Sequence, residues 1–389
     1  MIEALRRIEH GGPADPDRVE GIAGTGEEFS FLLEEGRTFL HAVTTPLVER
    51  GFQAAALRIV DADWEPLVYA LPALAEDRGR VFRYSDPITA RGGARIEMAR
   101  AIFGWRDDAP FTHCHGIWIE GDGRTRGGHV LPEKTIIVKG GVAHGIGLKD
   151  VRIRADLDRK TGFTLFHPVT VPGVQTNPGP RRAVAARIKP NVDISEAMEG
   201  LCRRHGFARA EVYGGIGNLN GAIFEDGSTV PDIGSESMIL SGSVSSGLNQ
   251  EPVAHLHIAF VGLDGRVHRG TLARGCNPVG VTFEFILASG FLTGKYRSEQ
   301  DFGKSARGQG MTRYLNERGH RILQVLDEVA AEEQATPAQV ALAWLMARPG
   351  LTAPIASATN VAQLNELVGA TRLNLSSSSM ERLQRASAS

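Results

Sequence analysis

The sequence has little cysteine, little net charge and no long apolar run. Its three cysteines, Cys114, Cys202 and Cys276, are odd in number and far apart, which argues against a disulfide framework. No apolar run approaches the roughly 20 residues that span a bilayer. The amino-terminal segment also lacks the apolar core of a signal peptide. These absences exclude membrane, secreted and fibrous classes and predict a cytoplasmic globular protein.

Charge is nearly balanced along the 389 residues, with 43 lysines and arginines against 45 aspartates and glutamates. A net charge of −2 argues against a chain that binds nucleic acid mainly through its phosphates. The tripeptide Arg78-Gly79-Arg80 lacks the flanking prolines of a minor-groove hook. At roughly 100–200 residues per domain, the length predicts two or three domains.

An internal repeat organises the first three quarters of the chain. Residues 112–130 align without a gap on residues 254–272, so that His113 matches His255 and His115 matches His257. Further upstream, residues 49–60 match residues 204–215 in the same order. We therefore predict two copies of one domain, the first and second repeats.

Each repeat has the pattern of an amphipathic helix followed by short strands. In the second repeat a helix is expected to end at Gly206, and its apolar residues are Ile194, Met198, Leu201 and Cys202. Asp-Gly turns at 122–123 and 264–265 predict a hairpin in each repeat. The glycine-rich segments 140–147 and 214–221 are interpreted as turns, and residues 169–183 as a linker.

Three histidines of the first repeat form a candidate metal site. His113 and His115, two apart on a strand, face the same way, and the hairpin brings His129 beside them. Three imidazoles in this arrangement can hold a zinc-like ion and leave a position open for water. The alternative is that they hydrogen-bond backbone groups or line a subunit contact. The second repeat has Thr271 in place of His129 and is expected to be a degenerate partner.

The pattern H-x-H, turn, G-G-H, with an upstream helix, resembles the PPC (plant and prokaryote conserved) domain. His113, His115 and His129 match the three recurrent histidines of that family, and Gly127-Gly128 matches its double glycine. The resemblance implies an α+β module that forms trimers, with the histidines near a metal position. A DNA-binding role is implied only through the plant members of the family.

Beyond residue 287 the character of the sequence changes to capped helical segments. Thr336 to Gln339 forms a capping box with proline at the first helical position, and Asn360 to Gln363 resembles a second one. Between them, residues 351–356 have the pattern of a short strand. The helix start beyond it offers backbone N–H groups that favour a phosphate, although ordinary capping is the preferred explanation from local sequence.

Segments 287–297 and 341–367 resemble the last third of an aldo-keto reductase. The resemblance implies a phosphate and adenosine site for NADP(H) at Ala288, Ser289, Gly290, Lys295, Ser357, Thr359, Gln363 and Glu366. No motif matches the catalytic tetrad of that family, and two β/α units cannot close an eight-stranded barrel. We therefore expect no reductase activity from this chain alone.

Together these patterns predict an α+β fold: two tandem PPC-like domains, 1–172 and 173–287, followed by a partial β/α-barrel fragment, 288–389, that is mostly helical. The predicted function is a non-catalytic, cytoplasmic, homo-oligomeric binding or regulatory protein without membrane contact. Three alternatives stay open. They are a metal-dependent enzyme acting on a small molecule at the histidine site, an NADP(H)-binding oxidoreductase, and a DNA-binding protein.

Overall fold

The described part of the chain covers residues 7–13, 15–75, 81–173, 182–207, 209–246, 251–289, 317–347 and 361–387 of a computed structural model. The chain divides into two units, Met1–Ser289 and Gly290–Ser389, which we call the sheet unit and the tail. Among the described residues, no helix combines the length and apolarity needed to cross a bilayer.

The sheet unit alternates strands with two helices among its described residues. Its first half contains β1 (Val19–Leu32), α1 (Phe39–Glu49), β2 (Ala54–Val60), β3 (Ala62–Trp64), β4 (Val68–Ala70), β5 (Pro72–Leu74), β6 (Phe82–Tyr84), β7 (Ile88–Thr89), β8 (Ala94–Arg106), β9 (Ala109–Glu120), β10 (Thr125–Val130), β11 (Ile137–Lys139), β12 (Val142–Leu148), β13 (Val151–Leu157) and β14 (Thr164–Thr170). Its second half contains β15 (Arg182–Ile188), α2 (Ile194–His205), β16 (Arg209–Ile223), β17 (Thr229–Ile233), β18 (Glu236–Ser246), β19 (Pro252–Val261), β20 (Val267–Thr271) and β21 (Val279–Ser289).

Both helices begin and end at residues suited to those positions. The Thr38 side chain accepts the backbone N–H of His41 at the start of α1, and Asp193 accepts that of Glu196 at the start of α2. Gly206 ends α2 with a φ of 63°, a left-handed conformation that glycine adopts without strain. The predicted helix is confirmed, and it buries the expected residues Ile194, Met198, Leu201 and Cys202.

The two repeats pack with their sheets face to face and their helices outside. Helix α1 covers one face of the first repeat's strands, and α2 covers one face of the second repeat's strands. The opposite faces meet in a shared apolar core. Residues there come from both repeats: Ala56, Ile102, Ile117 and Ile146 from the first, and Ile216, Met238, Ala259 and Ile286 from the second. Alternation along each strand supplies both buried faces.

Strand β1 connects the two repeats through hydrogen bonds. Its residues 19–25 pair antiparallel with β15 of the second repeat, and its residues 26–32 pair antiparallel with β12 of the first. Among the described residues, this shared strand joins nineteen strands into one continuous sheet, while β5 and β6 form a separate pair. The division into domains at residues 172 and 287 stays a prediction.

The two predicted hairpins are confirmed. Strands β9 and β10 join at the Asp-Gly turn of the first repeat, and β19 and β20 join at that of the second. Gly123 and Gly265 have φ values of 80° and 74°, which a side chain would strain. The hairpins set the register that places the histidines.

The predicted fold class is wrong, because the structure is mostly β, with 50% strand and 20% helix and one large antiparallel sheet. Part of the error lies in the segments interpreted as turns, since residues 142–147 belong to β12 and residues 214–221 belong to β16. A side chain at Gly147 would meet the Phe52 ring at 2.5 Å, and Gly214 and Gly215 have positive φ at a bulge. These glycines permit close packing and a bend inside long strands.

The described residues of the tail form four helices, α3 (Glu317–Glu332), α4 (Pro337–Met346), α5 (Val361–Ala370) and α6 (Ser377–Ser387). The predicted capping box is confirmed, since Thr336 accepts the N–H of Gln339 and the Gln339 side chain accepts the N–H of Thr336. A small core of Val329, Val340 and Leu383 holds three of these helices together. The strand predicted at 351–356 lies outside the described residues.

Candidate functional site

Three histidines converge on one face of the β9–β10 hairpin. His113 and His115 project from the same face of β9, and His129 on β10 stands directly opposite His115. One nitrogen from each ring lies within 4.8 Å of the other two. The structure thus brings together the residues that the sequence predicts as metal ligands.

The double glycine before His129 lets the hairpin pack closely on both sides. A Cβ at Gly127 would lie 2.6 Å from Val261 of the second repeat, and one at Gly128 would lie 2.9 Å from Tyr69. Hydrogen bonding to β4 and packing against the second repeat therefore both require glycine here. As a result, His129 is held between the two repeats.

The second repeat supplies two carboxylates to the histidines. Glu284 on β21 lies with Oε2 2.8 Å from Nδ1 of His113. Glu236, at the start of β18, lies with Oε2 2.6 Å from Nε2 of His115 and 3.9 Å from Nδ1 of His129. The site is therefore composite, with imidazoles from the first repeat and carboxylates from the second.

Hydrogen bonds orient the imidazoles so that coordinating nitrogens face one another. The carbonyl oxygen of Ser237 accepts from Nδ1 of His115 at 2.9 Å, because a carbonyl cannot donate. Glu284 holds Nδ1 of His113 in the same way, and Nε2 of His113 and Nε2 of His115 lie 3.0 Å apart. Partners on the outer nitrogens of metal-binding histidines commonly fix the tautomer in this way.

Burial dominates the electrostatics of the cluster. Desolvation, and then the neighbouring imidazoles, hold the pKa of His113 and that of His129 well below the usual range. At His115 desolvation is outweighed by Glu236, which raises the pKa of that imidazole. Burial raises the pKa of the Glu284 carboxyl to about 7. Neutral imidazole is the form that binds metals, so His113 and His129 are in that form near neutral pH.

A cavity of about 170 Å³ opens above the cluster. His113, His115, His129, Glu236 and Glu284 lie at one end of its wall. Most of the rest is apolar, with rings from five aromatic residues and two arginine side chains: Phe82, Tyr84, Phe111, Phe163, Phe166, Arg83 and Arg106. A small molecule in this cavity would contact both the rings and the polar cluster.

The second repeat has no equivalent cluster among its described residues. His255 is exposed, and Nδ1 of His257 lies 3.4 Å from Oγ1 of Thr271, the residue that replaces the third histidine. The pKa of Cys114, between the paired histidines of the first repeat, is raised by burial, and the thiol lies in the core as predicted. The three histidines thus come together once in the described chain.

Strand register shows why sequence reasoning missed the carboxylates. By the pairing of equivalent strands, the positions of Glu236 and Glu284 in the first repeat are occupied by Arg95 and Val142. The first repeat therefore has no acidic residue at either of these two positions. The feature of the sequence that could have indicated a functional role is Glu284, a charged residue inside the mostly apolar strand β21.

The residues implied for an NADP(H) site lie in different places. Ala288 and Ser289 belong to β21, and Gln363 and Glu366 belong to α5. The other four, Gly290, Lys295, Ser357 and Thr359, lie outside the described residues.

Ala288 is fully buried and pairs with Ala183 on one side and Glu211 on the other. Its backbone is therefore not open to a pyrophosphate. Oε1 of Glu366 accepts a hydrogen bond from Thr336 at 2.8 Å.

Comparison with family models identifies two segments. Residues 175–290 match the Plants and Prokaryotes Conserved (PCC) domain, the PPC domain named above, and residues 272–388 match the aldo/keto reductase family. Two adjoining segments of the chain thus match two different families. The two matches overlap in β21, which the structure places within the large sheet. Neither of these two matches covers the first repeat, whose likeness to the second rests on the aligned segments and the two hairpins.

The chain is also similar to individual proteins. The chain is 32% identical over 103 residues to the aldo-keto reductase yakc [NADP(+)] of Schizosaccharomyces pombe, which covers 26% of this chain and 30% of that protein. The chain thus spans about a third of the length of this curated relative. Solved structures include a PPC protein of Pyrococcus horikoshii (16% identity, 39% of this chain and 97% of that one, TM-score 0.31) and a metal-containing protein of Archaeoglobus fulgidus (21%, 38% and 96%, 0.31).

Proposed function

We propose that the sheet unit is a metal-dependent binding protein for a small molecule. One zinc-like ion would be held by His113, His115 and His129, with Glu236 beside them. The observation that carries the proposal is the convergence of three imidazole nitrogens within 4.8 Å at the wall of a cavity.

The chemistry of these groups suits zinc or a similar divalent ion. Zinc prefers imidazole nitrogen with one carboxylate or water in a tetrahedral set. Nε2 of His115 and Oε2 of Glu236 lie 2.6 Å apart, so a proton lies between them when no cation is present. Binding of a cation would release that proton, which makes metal affinity fall at low pH.

The second repeat supports the site through its own contacts. Glu284 and the Ser237 carbonyl hold His113 and His115 in orientation, as outer partners of metal-binding histidines do. The second repeat is therefore assigned a positioning role, which explains why its own histidine set can be incomplete. The ligand would enter through the aromatic cavity.

Elemental analysis of the purified full chain tests the proposal. We expect about one zinc per chain after loading and dialysis, and loss of that zinc in the His113→Ala variant. His255→Ala is the matched control, because it removes the equivalent histidine of the second repeat, which is exposed. Absence of zinc from the wild-type chain, or equal zinc in the two variants, would overturn the proposal.

A further inference from the structure

We infer that the cavity above the histidine cluster binds a small aromatic carboxylate, with its ring among the aromatic side chains and its charge compensated by the bound cation and Arg106. This inference rests on the proposed metal site and adds the class of ligand. The size, the lining and the charge of the cavity each support it.

The volume sets the size of the ligand. A cavity of about 170 Å³ is close to one of roughly 150 Å³ that takes up benzene in another protein. One ring with a small substituent therefore fills the space.

The lining favours a flat ring. Two aromatic pairs line the cavity edge to face, Tyr84 with Phe163 at 6.3 Å between ring centroids and Phe111 with Phe166 at 6.1 Å. Tyr84 is 43% exposed, although its ring also packs on His129 at 4.6 Å. Rings held at these angles leave faces and edges available to a further ring.

The charges favour an anion once the metal is bound. The two carboxylates at the cavity wall, Glu236 and Glu284, already contact histidines. A divalent cation outweighs the charge of Glu236, and Arg106 adds a positive charge at the wall of the same cavity. The Arg106 guanidinium stacks 3.5 Å from the centroid of the Phe111 ring. Its ion pair with Glu133 is half exposed and therefore weak, so a bound carboxylate can replace Glu133 as its partner.

The same charges predict that ligand and metal bind cooperatively. Without the cation, the proton between His115 and Glu236 leaves that pair neutral, so it offers a carboxylate no net attraction. With the cation, the wall becomes attractive to an anion. Because coupling between two binding sites is reciprocal, the carboxylate also strengthens metal binding.

Calorimetric titration of the full chain with benzoate, benzamide and acetate tests the inference. We expect benzoate to bind the zinc-loaded chain at least about tenfold more tightly than benzamide, which lacks the charge. Acetate lacks the ring and is expected to bind at least about tenfold more weakly than benzoate. Removing zinc should weaken benzoate binding by a similar factor.

Arg106→Met is the informative variant, since it keeps the aliphatic stem and removes the charge. It should weaken benzoate binding several-fold and leave zinc content unchanged. Arg124→Met is the control, because that arginine is exposed and paired with an aspartate outside this cavity. Zinc at about one per chain with no benzoate binding, or equal affinity for benzoate and benzamide, overturns the inference while the metal proposal stands. Absence of zinc overturns both.

Discussion

Glu284 and His113 lie 171 residues apart in the chain, yet the carboxylate oxygen of one is 2.8 Å from the imidazole Nδ1 of the other. The contact crosses the boundary between the two repeats. It makes the second repeat part of the histidine site, although that repeat has Thr271 at the position that aligns with His129. A single composite site therefore replaces the two separate sites that an exact duplication would contain.

The Glu284→Gln variant should lose metal affinity without losing the fold. The amide keeps the size of the side chain but removes the charged acceptor that orients His113. Substitution of such an outer partner typically weakens metal binding by about 10- to 100-fold. Competition with a chelating dye measures the effect, and Glu251→Gln is the control because Glu251 is exposed. An unchanged affinity in Glu284→Gln would show that the contact is not needed for binding.

Acid should weaken the sheet unit through Asp158. Burial alone would raise the pKa of this carboxyl, but hydrogen bonding and the charge of Arg187, 2.5 Å away, outweigh burial and hold the pKa below its ordinary value. A carboxyl whose pKa is lowered by folding adds stability above its unfolded pKa of about 3.9. That stability is lost as pH falls through the folded pKa.

Asp158→Asn tests this contribution by urea unfolding at neutral and acidic pH. Breaking a buried ion pair should cost roughly 3 kcal/mol at neutral pH, and the variant should lose less stability on acidification than the wild type. Asp122→Asn, at an exposed turn, should behave as the wild type does. Parallel loss of stability with pH in Asp158→Asn and wild type would contradict the assignment.

Gly127→Ala should disturb the contact between the repeats. The added Cβ would stand 2.6 Å from Val261 and 3.0 Å from the carbonyl oxygen of Gly116. Overpacking of this kind costs about 1–3 kcal/mol, and zinc binding should weaken with it because His129 is two residues away. Gly200→Ala is the control, since its nearest neighbour would be 4.0 Å away within α2, and it should stabilise the helix by up to about 1 kcal/mol. Thermal unfolding distinguishes the two, and a stabilised Gly127→Ala would refute the packing account.

The full chain should not bind NADPH in the micromolar range. The reason is the position of Ala288, which is paired within the sheet on both sides and cannot line a pyrophosphate. A titration followed by nicotinamide fluorescence measures this directly. A saturable rise in nicotinamide fluorescence that NADP(+) reverses would contradict this prediction. It would mean that the reductase segment forms a cofactor site despite the pairing of Ala288.

Local patterns predicted much of the sheet unit correctly. The helix at Ile194 and the two hairpins follow from apolar spacing, a capping aspartate and Asp-Gly turns, which act over a few residues. The meeting of His113, His115 and His129 follows from the same hairpin geometry. The glycine-rich segments were predicted wrongly as turns. Glycine occurs both in turns and in strands that pack closely on a neighbour, and only the neighbouring residues in space distinguish the two.

What the sequence by itself determined is therefore the set of local elements and the three histidines that one hairpin brings together. Only the tertiary structure decided that Glu236 and Glu284 complete the site, that β1 joins the repeats and that β21 lies within the large sheet. The physical reason is that strand pairing and face-to-face packing join residues more than a hundred positions apart. No periodicity in the chain encodes which of these distant surfaces meet.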